Sequence, residues 1–169
     1  MLKGQRDHHM RMQLLAGMAI ALSMSANAMA TDYKAGPIEI MNPRSRATPK
    51  GAKNAVGYMT IKNNGTTADR LIGGSIDVAE TFQLHSMVME NGIAKMHELP
   101  NIEIKPGQII EFKPGSSHTM FVNLKHPLTK GDRVNGTLVF EHAGNVQIEY
   151  SVQGIGAQSA SQGTDHMHH

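Results

Sequence analysis

Four residues combine a distinctive chemistry with a regular spacing: His85, then ten residues to Met96, then twenty-one residues to His118-Thr119-Met120. Two imidazoles and two thioethers are all neutral, fairly soft donors, and the set contains neither thiolate nor carboxylate. Thioether sulfur favours Cu(I) over Zn(II), Mg(II) or Ca(II), which prefer harder or anionic ligands. The first reading is therefore a Cu(I) site.

The local elements must bring these side chains together. Alternation in Gln83-Leu84-His85-Ser86-Met87-Val88-Met89 predicts a strand with His85, Met87 and Met89 on one face. Asn91-Gly92 is a strong two-residue hairpin signal, and Ile93 to Leu99 makes the return strand. With Asn91 and Gly92 as the turn, Met87 stands opposite Met96 and His85 opposite Glu98, diagonal to Met96 on the same face. His97 then points the other way and is rejected as a ligand. His118 and Met120, two apart in the next strand-like run, also share a face. Local pattern does not bring the two faces together, and Met in a strand more often packs a core than binds a metal. Residue chemistry alone leaves both readings open.

Residues 1–30 have the form of an export signal. Lys3, Arg6 and Arg11 give a basic start, and Leu14 to Leu22 is an apolar run too short to span a bilayer. Ala28-Met29-Ala30 is a small-x-small cleavage pattern, so cleavage near Ala30 and a periplasmic location are expected, with no membrane span in the mature chain. The Met residues up to Met29, with His8 and His9, belong to this segment. Three of the 16 basic and one of the 14 acidic residues lie in it, so the remainder carries no formal net charge and gives no argument for nucleic-acid binding. The chain has no Cys. Disulfides are therefore excluded, and so is a blue-copper centre, which needs a thiolate.

From Thr31 the signals are short strands separated by turns. Ile38 to Ile40 opens the series; Asn42-Pro43 and Thr48-Pro49-Lys50-Gly51 read as breakers around an edge strand or loop. Strands are expected at Ala55–Lys62, Arg70–Ile76, Ile102–Ile104, Ile109–Lys113 and His118–Leu124, and a last hairpin turns around Ala143-Gly144-Asn145. The expected fold is all-β, an antiparallel β-sandwich over residues 31–153. Residues 154–169 form a Gly/Ser/Ala/Gln-rich tail ending Asp165-His166-Met167-His168-His169. Its His-rich end is a candidate second metal site, with His166, Met167, His168 and His169 as donors and Cu(II) suited to the imidazoles and Asp165. No nucleophile elbow, phosphate loop or paired carboxylates are evident, so no enzymatic activity is expected.

The segment from Val56-Gly57-Tyr58-Met59-Thr60-Ile61 to Val152 resembles the PCu(A)C family of periplasmic copper chaperones. His85, Met96, His118 and Met120 match its His-x10-Met-x21-His-x-Met motif without a gap. His85-Ser86-Met87, Met89-Glu90-Asn91-Gly92 and Lys113-Pro114-Gly115 add to the likeness. The resemblance implies a cupredoxin-like Greek-key sandwich binding Cu(I) at one exposed site, with Met87 as an auxiliary thioether nearby. It implies delivery to an acceptor such as the CuA centre of cytochrome c oxidase subunit II, in oxidase assembly, often beside a Sco-type thiol protein. Two other readings stand beside it: a copper-buffering or resistance protein without a dedicated acceptor, and a β-sandwich interaction module that binds no metal.

Overall fold

The computed structural model describes residues 32–156. The expected export segment, residues 1–30, and the tail donors His166, Met167, His168 and His169 lie outside the described residues. Eleven strands follow in chain order: β1 (Tyr33–Ala35), β2 (Ile38–Arg46), β3 (Asn54–Asn63), β4 (Asp69–Ile76), β5 (Ala79–Glu90), β6 (Ile93–Leu99), β7 (Ile102–Ile104), β8 (Ile109–Phe112), β9 (His118–Leu124), β10 (Arg133–Phe140) and β11 (Gly144–Gln153). Hydrogen bonding runs β6-β5-β9-β3-β2-β11-β10-β4-β7, with β1 added to β2 and β8 to β3. Every pairing among them is antiparallel except β11 with β2, which is parallel.

Period-two alternation builds the core. In β3, Ala55, Gly57, Met59 and Ile61 turn inward, and Val56, Thr60 and Lys62 turn out. In β10 and β11 the inward set is Val134, Leu138, Phe140, Val146, Ile148, Tyr150 and Val152. These meet Ile38, Ile40, Leu71, Ile104, Phe112 and Phe121 in one apolar cluster. Full burial of each large side chain contributes roughly 1.5–3 kcal/mol before entropy is counted. Two buried polar side chains that hold this frame, Asn63 and Asp69, are satisfied. The Asn63 amide donates to Thr67 O and Ile104 O, and the Asp69 carboxylate accepts from the N–H groups of Arg70, His142 and Ala143.

Strand β2 departs from the sequence expectation. The region after Asn42-Pro43 is not an edge or loop but continues the strand, flanked by β3 and β11. A bulge reconciles the proline with this position. Asn42 adopts φ 50°, and the register with β3 slips by one residue between Met41 and Arg44. A bulge absorbs Pro where a regular ladder would lack a donor. It also reverses the alternation: Ile38 and Ile40 point inward before it, Pro43 and Ser45 after it. Ser45 Oγ, now inside, donates to Val56 O at 2.7 Å. Arg44 and Arg46 are thereby turned to the outer face. The last hairpin turns slightly earlier than expected, over Glu141–Ala143, with Gly144 already paired to Phe140.

Gly57 carries the tightest packing beneath the strand of His118 and Met120. A Cβ there would collide with Thr119 Oγ1 and would stand 2.6 Å from Phe121 and 2.9 Å from Tyr150. Gly57→Ala should therefore lower stability by about 1–3 kcal/mol through overpacking, read as a shifted urea midpoint with an unchanged m-value.

Candidate metal centre

Strands β5, β6 and β9 position the four donors. Asn91 (φ 52°) and Gly92 (φ 79°) make the two-residue turn with both central residues left-handed, which fixes the β5–β6 register. Met87 stands opposite Met96, and His85 opposite Glu98. On its other side β5 pairs with β9, and there His85 lies directly opposite His118. The imidazole centroids are 5.6 Å apart at 42°. Met120 sits opposite Gln83 on β5 and Val56 on β3. All four positions therefore share one face of the sheet. The Met87–Met96 pair and Met120 flank the histidine pair from opposite ends. His85 and His118 are buried, Met87 and Met120 half-buried, and Met96 is 48% exposed on the edge strand.

The hydrogen bonds settle which ring nitrogens are free. Gln83 Nε2 donates to Glu98 Oε2 at 3.2 Å, so the amide oxygen faces His85 Nε2, 3.1 Å away. An amide oxygen only accepts, so the proton is assigned to His85 Nε2 and the lone pair to Nδ1. His118 Nδ1 donates to Ser116 O at 3.2 Å, which leaves the lone pair on Nε2. Both lone-pair atoms, His85 Nδ1 and His118 Nε2, are buried without a hydrogen-bonding partner. A buried acceptor without a donor costs roughly 1–3 kcal/mol, and here two occur on facing rings. Two further buried atoms lack a close partner, Thr119 Oγ1 and Tyr150 Oη. Thr119 Oγ1 and the Tyr150 ring both pack against Gly57. A metal-binding His characteristically donates its other N–H to a carbonyl or carboxylate, and both rings do so to a carbonyl oxygen.

Burial, then the neighbouring His118, holds the His85 imidazole below the ordinary value of 6.5, and Glu98 opposes the shift. The neutral form that can coordinate a cation is thus favoured. Among the described residues no three His, Cys, Asp or Glu side chains converge on a point, and Met87, Met96 and Met120 are the thioethers on the face of the histidine pair. The other described histidines lie apart. His97 is on the opposite hairpin face, 2.8 Å from Glu90 Oε1; His126 and His142 are exposed. Gln83 and Ser116, which orient the rings, had no assigned role from the sequence. The parity that puts Gln83 on the face of His85 was the only signal for it.

The model of the family described as "Putative lipoprotein LpqE-like" matches residues 38–152. The copper-bound PCuAC domain from PmoF2 is 30% identical with a TM-score of 0.64, covering 73% of this chain and 98% of that one. The apo PCuAC domain from PmoF1 is 28% identical at a TM-score of 0.64, over 73% of this chain and 99% of that domain. Lxx21020 of Leifsonia xyli subsp. xyli, with the same lipoprotein description, is 28% identical over 83% of this chain and 84% of its own length. The fold is a cupredoxin-like β-sandwich of the PCuAC type. The chain belongs to the LpqE-like, PCuAC-related family.

Because the His85 pKa is lowered on folding, the unfolded chain binds the proton more readily, so the His85 contribution to stability is present above pH 6.5 and is lost as pH drops below it. Metal-free protein should show a declining urea midpoint below that pH, and His85→Asn should remove part of the slope.

Proposed function

We propose that this protein is a copper chaperone whose cargo, Cu(I), is held by His85, Met96, His118 and Met120, with Met87 as an auxiliary thioether. The observation that carries the reading is the pair of buried, donorless lone pairs on facing imidazoles, flanked by thioethers on the same sheet face. The copper-bound state of the PmoF2 domain supports it. Neutral soft ligands suit Cu(I) and leave the site a single positive charge. They bind less tightly than thiolates and resist oxidation better in an oxidising compartment, so the cargo can pass to an acceptor with cysteine ligands.

Delivery to the CuA centre of cytochrome c oxidase subunit II, with a Sco-type thiol protein beside it, is the proposed destination. The family's lipoprotein description supports an exported or envelope protein, and a periplasmic site of action follows from the export pattern of residues 1–30. A second Cu(II)-binding role for His166, Met167, His168 and His169 remains a proposal on composition alone.

His118→Ala or Met96→Ala should abolish tight Cu(I) binding in a competition titration while the circular dichroism spectrum is retained; unchanged affinity would overturn the assignment. Gln83→Leu, which removes the group orienting His85, should weaken Cu(I) binding by about 10–100-fold without removing a ligand.

A further inference from the structure

The bulge in β2 places two arginines on the face that carries the metal centre. Arg44 is paired with Tyr58, and Ser45 with Gly57, which sets Arg46 one position on beside Val56. On the other side of β3, Gly57 pairs with Thr119 and Val56 with Met120, which brings Tyr58 alongside His118. The same face therefore reads, from β2 to β9, Arg44–Tyr58–His118 in one row and Arg46–Val56–Met120 in the next. Two strand spacings, about 10 Å, separate the arginine backbone from that of the donors.

Both guanidinium groups lie over one ring. Arg44 Cζ is 5.9 Å and Arg46 Cζ 5.6 Å from the Tyr58 centroid. Among the described residues neither arginine forms an ion pair with a carboxylate, whereas Arg70 and Arg133 pair with Glu141 and Glu149. Glu111 is the acidic group whose charge Arg44 feels, but its carboxylate is engaged by Lys113 at 2.6 Å. Burial and the charge of Arg46 both disfavour the protonated form of Arg44. The two half-buried cations thus repel each other over the buried Tyr58 ring, an arrangement that external carboxylates would relieve.

We propose that Arg44 and Arg46, stacked on Tyr58, form a docking site for the acidic surface of the protein that receives the metal. The proposal rests on the reading of the centre as a delivery site. Carboxylates anchored at this pair would bring the partner's metal-binding groups over His118 and Met120, while the exposed Met89 and Met96 of the hairpin bound the opposite flank. Charges at such a position act mainly on encounter and orientation.

Binding of a fluorescein-labelled oligoglutamate peptide to the copper-free full chain, followed by anisotropy, tests this apart from metal chemistry. Oligoglutamate should bind and an oligolysine control should not, with affinity falling by about tenfold between low salt and roughly 0.3 M salt. Arg44→Gln with Arg46→Gln should weaken oligoglutamate binding by about tenfold or more, and the double Lys variant, which keeps the charge without the planar fork, should fall between it and the unaltered chain. A parallel Cu(I) competition titration should be the same for the Gln variant and the unaltered chain, so failure of the copper reading would show there and not in the peptide assay. Equal binding of the two peptides, or full retention by the Gln variant, would overturn the proposal. So would oligoglutamate binding that emerges only after removal of residues 157–169, which would assign the arginines to carboxylates of the chain's own tail.

Discussion

Two imidazole lone pairs, buried and facing one another without a donor between them, set the terms for this molecule. Neither ring can relieve the other, because both N–H groups are already directed outward, to Gln83 and to the Ser116 carbonyl. Their neighbourhood must therefore be rigid enough to keep two unsatisfied acceptors in place. The β5–β9 ladder provides that by pairing His85 with His118, and the packing around Gly57 presses β9 onto β3 from beneath. Elsewhere buried polar groups such as Asn63 and Asp69 are saturated with hydrogen bonds. The contrast sets these saturated groups of the frame apart from the two facing imidazoles of the proposed site.

Much of the framework was legible because it is local. Strands β3, β10 and β11 are buried on one face, so their apolar residues alternate, and Asn91-Gly92 set the β5–β6 register that places Met87 against Met96. The meeting of His85 with His118 was not legible in the same way. It depends on β5 and β9 being neighbours in the sheet, which no local period encodes. The family motif supplied the grouping that periodicity could not. Ring tautomers were also out of reach, since they follow from the chain Glu98–Gln83–His85 across two strands.

The region after Asn42-Pro43 shows a different limit. Proline there reads as a break, because a regular interior strand cannot spare its donor. The bulge accommodates Pro43 and shifts parity, so residues that simple alternation would send into the core, Arg44 and Arg46, emerge outside. A one-residue slip changes every side chain's face beyond it. The same irregularity that hid the strand from the sequence shaped the surface around the metal centre.

The hairpin of β5 and β6 carries one more consequence. Beyond His85 it leaves the packed layers, and from Ile93 to Glu98 every residue of β6 is exposed. Segments with so little buried area open locally far more often than the domain unfolds. In the proposed site Met96 is thus tethered to the loosest element and both imidazoles to the firmest. A fluctuation of the hairpin would detach one sulfur and leave the ion three-coordinate, open to an incoming thiolate, while the β-sandwich behind it stays intact. Exchange by stepwise substitution, rather than release into solvent, is the kinetic behaviour this division favours.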